Sequence, residues 1–169
     1  WEISACLTGE YYCGRIAALT RSAVDEAADL ARRSDSESPE FAASLMEALV
    51  LSGLAMLLTG CTRPASGAEH HIAHFWEMQY ALMGRPQVFH GKKVGIAAGL
   101  VADVYNRLAQ LDCVHEMRRP IDWVRLADVY GPLLAECRKE NTPNPVDAIP
   151  QGAVEQHWDT LRAALAKVP

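Results

Sequence analysis

Residues 90–111 read HGKKVGIAAGLVADVYNRLAQL, and this stretch decides the fold class. Apolar side chains recur along it at the three- and four-residue spacing that defines one face of a helix. These side chains are Val94, Ala97, Val101, Val104, Leu108 and Leu111. The stretch therefore predicts a long amphipathic helix that packs one face against a core.

The rest of the chain carries the same helical signal. β-Branched residues nowhere alternate over a length that would favour a strand. The sequence predicts an all-α fold, a bundle of roughly seven helices in which the long middle helices form the core. The other helices are predicted over residues 1–7, 12–33, 39–59, 67–83, 120–137 and 154–168, with a break near residues 131–132.

Two helix starts and one stop are marked by specific residues. Ser38, Pro39 and Glu40 combine a capping side chain, a proline at the first helical position and an acid in the first turn. Gly60 is the expected stop of that helix. Ser66 and Glu69 have the spacing of a capping box, which predicts the next helix from residue 67. Residues 34–38 form a polar linker between two of the helices.

Composition excludes several classes of protein. The chain has 169 residues and a net charge of −5, without the basic stripe of a nucleic-acid-binding protein. Its five cysteines are odd in number and scattered, which favours reduced thiols in the cytoplasm. The longest apolar run, residues 48–59, is interrupted by Ser52 and Gly53, so no membrane span is expected.

We expect one domain over residues 1–169. We also expect a preceding segment, because the chain opens inside a helix at Trp1.

Four of the six histidines fall in one short window. His70 and His74 are four residues apart, so on a helix they share a face. His90 stands at the start of the next helix and is followed by Gly91, where backbone can be approached closely. The turn at residues 84–86 can bring that helix back antiparallel, which would place His90 beside His70.

Imidazole is the commonest protein ligand for catalytic metals, and such sites use three protein ligands with one open position. The pattern thus predicts a metal site with two histidines and a carboxylate. Glu69 is the nearest acid, but the capping box already uses it, so the alternative is an acid outside this chain. The competing interpretation is that these are structural or surface histidines.

Arg63 lies in the loop before the capping box, where a guanidinium beside free helix N–H groups favours an anion. The alternative is an ordinary surface arginine. Lys92 and Lys93 are ambiguous in the same way, since two cations in a first turn oppose the helix dipole.

The motif RPASGAEHHIAH at residues 63–74, followed by HGKKVG at 90–95, resembles the sn-glycerol-1-phosphate dehydrogenases. That family belongs to the superfamily of glycerol dehydrogenases, iron-containing alcohol dehydrogenases and dehydroquinate synthases. The resemblance covers the chain nearly end to end, as the helical C-terminal domain of the dehydroquinate synthase type. One departure is Lys92, since family members usually carry an acid after His-Gly.

The resemblance implies that His70 and His90 are metal ligands and that His74 is a catalytic residue of the same site. It implies that Arg63 contacts a substrate phosphate. The metal would be Zn²⁺ or Ni²⁺, with a third ligand, an aspartate, in a segment before this chain. It also implies NAD(P), bound mainly by an N-terminal dinucleotide-binding domain that this chain lacks; no residue here is assigned to the cofactor.

The reaction so implied is the reduction of dihydroxyacetone phosphate to sn-glycerol 1-phosphate, a step of phospholipid biosynthesis. The binding partner is then a small phosphorylated polyol or ketone. The protein is also a possible homo-oligomer. Two alternatives remain: a glycerol dehydrogenase or dehydroquinate-synthase-like enzyme, and a helical interaction module without catalysis. The isolated chain is expected to be inactive.

Overall fold

The computed structural model describes residues 1–33 and 37–168. All regular structure in these ranges is helical, which confirms the all-α prediction. The helices are α1 (Glu2–Thr8), α2 (Gly14–Arg33), α3 (Pro39–Thr59), α4 (Ala68–Leu82), α5 (His90–Ala109), α6 (Trp123–Tyr130), α7 (Leu134–Glu140), α8 (Ala153–Gln156) and α9 (Trp158–Leu165), with 3₁₀ turns at Gly131–Leu133 and Pro145–Ala148.

The number of described helices exceeds seven because two predicted helices are each divided. The first division falls at the predicted break, where Gly131 adopts φ 51° and Pro132 follows. The second, between α8 and α9 at His157, was not predicted. Part of the predicted linker, residues 34–36, lies outside the described residues.

The described chain divides into two compact units. Unit 1 contains Trp1 and Tyr11–Gly67, and unit 2 contains Glu2–Glu10 and the residues from Ala68 onward. The expectation of a single domain stays a prediction.

In unit 1, α2 packs against α3. The predicted start of α3 is confirmed: the Ser38 hydroxyl accepts a hydrogen bond from the Phe41 N–H at 3.1 Å, and Pro39 occupies the first turn. The predicted stop is confirmed as well, since Gly60 adopts a left-handed φ of 67° that a glycine accommodates without strain. The buried side chains of the two helices are all alanines, namely Ala23, Ala48 and Ala55.

Helix α3 corrects the expectation that no apolar run is long enough to cross a bilayer. The run is one helix of 21 residues with a mean hydropathy of 2.0 over its most apolar window, and only 6% of that window is buried. By length and composition alone it could span a membrane. Neither Ser52 nor Gly53 interrupts it: the Ser52 hydroxyl donates to the Ala48 carbonyl at 2.8 Å, so the polar group is satisfied inside the helix.

Unit 2 has a small apolar core at its C-terminal helix. Trp158, Leu161 and Leu165 are buried there, as the predicted stripe of the last helix requires. The side chains packed against them come from α1, α5, the segment after α5 and α8, and they are Ile3, Cys6, Leu7, Tyr105, Leu108, Ala109, Val114 and Val154. Lys167, two residues beyond α9, also binds the Glu2 carboxylate, with N–O distances of 2.8 and 2.9 Å, so α1 is held both by the apolar core and by an ion pair.

Helix α5 follows its predicted pattern in part. Ala97 is buried, but Val104 is 51% exposed. At the far end of the helix the face that packs on the core is that of Tyr105, Leu108 and Ala109. Its other buried side chain is Lys93, at 4% exposure, where the apolar pattern alone would not place a charge. Met83 and Phe89, on the loop before α5, are exposed as well.

Candidate metal centre

The three histidines of the window come together in unit 2. The ring centroids of His70 and His90 are 5.4 Å apart, those of His74 and His90 are 5.2 Å apart, and those of His70 and His74 are 6.2 Å apart. His70 and His74 project from the same face of α4, one turn apart, and His90 is the first residue of α5. The predicted proximity of His70 and His90 is confirmed.

Each of the three rings has a carboxylate at its Nδ1 atom. His70 Nδ1 lies 2.8 Å from Oε1 of Glu69. His74 Nδ1 lies 3.0 Å from Oε2 of Glu77, and His90 Nδ1 lies 2.9 Å from Oε1 of the same residue. Since an ionised carboxylate only accepts hydrogen bonds, each Nδ1 carries the hydrogen. The lone pair of each neutral ring is then on Nε2.

The pKa of Glu77 is strongly lowered. Hydrogen bonds from His90 and then from His74 lower the pKa of its carboxyl group to about 2. The buried Lys93 contributes further, with its Nζ atom 3.7 Å from Oε1 of Glu77. The carboxylate is therefore fully ionised at neutral pH.

The donor set suits a divalent transition metal. Imidazole nitrogens bind such metals, and a carboxylate on the second ring nitrogen is the usual support of a metal-bound histidine. Two sets of ligands can be drawn from the residues. One is His70 with His90, as the resemblance implies; the other is His74, Glu77 and His90, whose ligand atoms lie within 4.8 Å of one another.

The hydrogen bonds distinguish these two sets. Both oxygens of Glu77 already lie at hydrogen-bond distance from ring nitrogens, and a metal ion does not fit between such atoms. The contacts of Glu77 are those of an orienting group behind the histidines. Glu69 is likewise turned toward His70.

Arg63 does not fall in the same unit as the histidines. It is exposed in the connection between α3 and α4, within unit 1. Its contact with a substrate phosphate stays a prediction, as do the individual roles of His70, His74 and His90.

Glu77 was missed by the sequence reasoning, which considered acids only as possible metal ligands. The available signal was its position three residues after His74, which puts both on one face of α4. Lys93 was considered as a candidate for anion binding. Its ammonium group instead donates to Oε1 of Gln87 at 2.8 Å and faces the Tyr80 ring, 5.2 Å from the centroid.

A cavity of about 380 Å³ adjoins Lys93 within unit 2. Its lining is mostly apolar, with Trp76, Tyr80, Val88 and Ile96 around the lysine. The ammonium group of Lys93 is directed at Gln87 and Glu77. The polar part of the cavity lining is therefore already hydrogen-bonded to the residues that contact the histidine rings.

Comparison with known proteins finds relatives named glycerol-1-phosphate dehydrogenase [NAD(P)⁺]. The chain is 44% identical over 108 residues to a glycerol-1-phosphate dehydrogenase [NAD(P)⁺] of Bacillus licheniformis, a match that covers 64% of this chain and 27% of the relative. It is 36% identical over 168 residues to the enzyme of that name from Bacillus subtilis, covering 97% of this chain and 37% of the relative. A relative of the same name from Sulfurisphaera tokodaii is 36% identical over 106 residues, or 63% of this chain and 29% of the relative.

No protein-family profile matches the chain. No solved structure matches it either. The chain spans about a third of the length of the curated relatives it matches. With similarity that runs through nearly all of its residues, the chain belongs by sequence to the family of the glycerol-1-phosphate dehydrogenases.

Proposed function

We propose that the protein carrying this chain is an NAD(P)-linked oxidoreductase that reduces dihydroxyacetone phosphate to sn-glycerol 1-phosphate. The observation that carries the proposal is the cluster of three histidine rings, each with a carboxylate at Nδ1. The name shared by the relatives supports a phosphate-bearing substrate over plain glycerol or a lyase reaction.

We propose His70 and His90 as the metal ligands of this chain, with Nε2 of each ring as the ligand atom. A bound Zn²⁺ or Ni²⁺ ion would supply Lewis-acid polarisation of the ketone oxygen. Two histidines leave coordination positions for a further protein ligand and for substrate. The further ligand and the dinucleotide-binding residues are proposed to lie outside these 169 residues.

His74 is the proposed catalytic residue beside the ligands. Its side chain is 58% exposed, so the ring can exchange protons with solvent. With Nδ1–H held by Glu77, Nε2 of His74 first takes up a proton from solvent and then passes it to the product oxygen; in the reverse direction the unprotonated Nε2 accepts the proton of the alcohol. Arg63 is proposed to bind the substrate phosphate through its guanidinium group. A cytoplasmic location and a homo-oligomeric state also stay predictions.

The test uses the full-length protein, loaded separately with Zn²⁺ and Ni²⁺. We expect oxidation of NADH or NADPH that depends on dihydroxyacetone phosphate and disappears after chelation of the metal. Absence of turnover with either metal and either cofactor would contradict the proposal. The 169-residue chain alone is expected to give no turnover, because the dinucleotide site is proposed to lie elsewhere; turnover by this chain would place that site within it.

A further inference from the structure

We infer that Glu77 is a positioning residue of the histidine cluster: its one carboxylate fixes both His74 and His90 in the tautomer that leaves Nε2 unprotonated. The inference deepens the proposed function. The tautomers are argued from geometry, and only the use of the unprotonated Nε2 atoms rests on the proposed function. Neither the resemblance nor the names of the relatives assign any role to Glu77.

The geometry assigns one oxygen to each ring. Oε2 faces Nδ1 of His74 at 3.0 Å, and Oε1 faces Nδ1 of His90 at 2.9 Å. His74 is one turn away on α4, whereas His90 begins α5, so one side chain links the rings of two helices. A group with two acceptors and no donor is required, because both rings present N–H to it.

Glu77 is in turn contacted by Gln87 and Lys93. Nε2 of Gln87 donates to the backbone carbonyl of Glu77 at 3.3 Å, and Oε1 of Gln87 accepts from Nζ of Lys93 at 2.8 Å. Lys93 brings its positive charge to 3.7 Å from Oε1 of Glu77. A lysine with a side chain only 5% exposed needs such partners, and this network accounts for its burial on α5.

The chemistry predicts a specific result for the isosteric amide. In Glu77→Gln one of the two terminal atoms is a carbonyl oxygen, which still accepts from one Nδ1–H. The other is an NH₂ group, which needs an acceptor and therefore favours an unprotonated Nδ1 on the second ring. That ring must move its hydrogen to Nε2. In His90 the hydrogen would block the lone pair proposed to bind the metal, and in His74 it would block the atom proposed to accept a proton.

The first measurement is the tautomer of each histidine in the metal-free, full-length protein, by two-bond ¹H–¹⁵N correlation on ¹⁵N-histidine-labelled samples at about pH 8. We expect His74 and His90 both to be protonated at Nδ1 in the wild type, and one of them at Nε2 in Glu77→Gln. The matched control is Asp103→Asn, which removes one negative charge from α5 at a residue paired with Arg107, about 20 Å along the helix from His90. It should leave both tautomers unchanged.

An Nε2-protonated His74 or His90 in the wild type overturns the inference, whether or not the variant folds. So does a Glu77→Gln protein in which both rings keep the wild-type tautomer. A merely structural role for Glu77 would alter thermal stability without changing the tautomer.

The second measurement is the affinity of the same proteins for Zn²⁺ in a chelator competition. Loss of a supporting carboxylate typically weakens metal binding about 10- to 100-fold, and we expect that range for Glu77→Gln with no change for Asp103→Asn. Unchanged affinity in Glu77→Gln overturns the positioning role. Failure of the wild type to bind metal would instead contradict the proposed function, while the tautomers still decide what Glu77 does.

Discussion

Helices α3 and α5 have almost the same length, 21 and 20 residues, and opposite relations to solvent. α3 has the highest hydropathy of the long helices, yet most of its large side chains are exposed; they include Leu49, Val50, Leu57 and Leu58 at 52–77% exposure. α5 carries two lysines and buries one of them. Within this chain the burial of a side chain is thus decided by the partners available to it, and hydropathy is a poor guide.

The comparison separates two kinds of surface. The polar cluster at the start of α5 is satisfied by neighbouring carboxylates and an amide, so changes there should affect chemistry. The apolar face of α3 contributes little to the packing inside this chain, so changes there should cost little stability.

The largest effect is expected at the start of α5. His90→Ala in the full-length protein should lower kcat/KM for every substrate by more than about a hundredfold, because it removes a proposed ligand, and metal content should fall with it. Steady-state kinetics and elemental analysis of the purified protein measure both. Full activity with an unchanged metal content would show that the histidine cluster is not the metal centre.

The next prediction concerns packing. Leu161→Ala removes a side chain that is 4% exposed in the core of unit 2 and should cost about 2–5 kcal/mol of unfolding free energy. Leu57→Ala on α3, at 77% exposure, is the matched control and should change that free energy by less than about 0.5 kcal/mol. Urea titration gives both values, and equal losses would remove the distinction between the two helices.

A third prediction concerns the connection between α3 and α4. If Arg63 binds the substrate phosphate, Arg63→Ala should lower kcat/KM for dihydroxyacetone phosphate about ten- to a hundredfold, since a charged hydrogen bond is worth about 1.5–3 kcal/mol. Dihydroxyacetone, which lacks the phosphate, should be much less affected. Arg107→Ala, which removes an exposed arginine from α5, serves as the control. Unchanged kinetics for Arg63→Ala would make it an ordinary surface residue.

The smallest effect is expected at Glu116, in the segment after α5. The hydrogen bond from Arg118, with one from the Gly152 N–H, lowers the pKa of this carboxyl below its ordinary value of 4.5. Its contribution to stability is therefore present above that value and is lost as the pH falls below it. The difference in unfolding free energy between wild type and Glu116→Gln should shrink from about pH 7 to about pH 3. A difference that grows on acidification would contradict the assignment.

The sequence predicted the helices best where a local signal ends them. Ser38 and Gly60 place both ends of α3 because a cap and a left-handed glycine act within one turn. The meeting of His70 with His90 was also within reach, since a short connection returns α5 alongside α4.

What could not be predicted depends on contacts between elements. The burial of Lys93 requires Gln87 and Glu77 to be placed together, which no periodicity encodes. The division at His157 and the exposure of α3 depend on which neighbours each helix meets. Glu77 was missed because acids were considered only as metal ligands, whereas its two oxygens lie at hydrogen-bond distance from Nδ1 of His74 and of His90.

The attachment of α1 to α9 has a consequence for the order of folding. The chain leaves unit 2 after Glu10 and returns at Ala68, so docking of α1 joins segments about 150 residues apart. Closing such a loop costs conformational entropy that only the completed contact repays, and each doubling of its length adds about 0.6 kcal/mol. The histidine cluster needs only the local hairpin of α4 and α5. We therefore expect that hairpin to form early and α1 to dock late, so that the rings assemble before the unit is sealed.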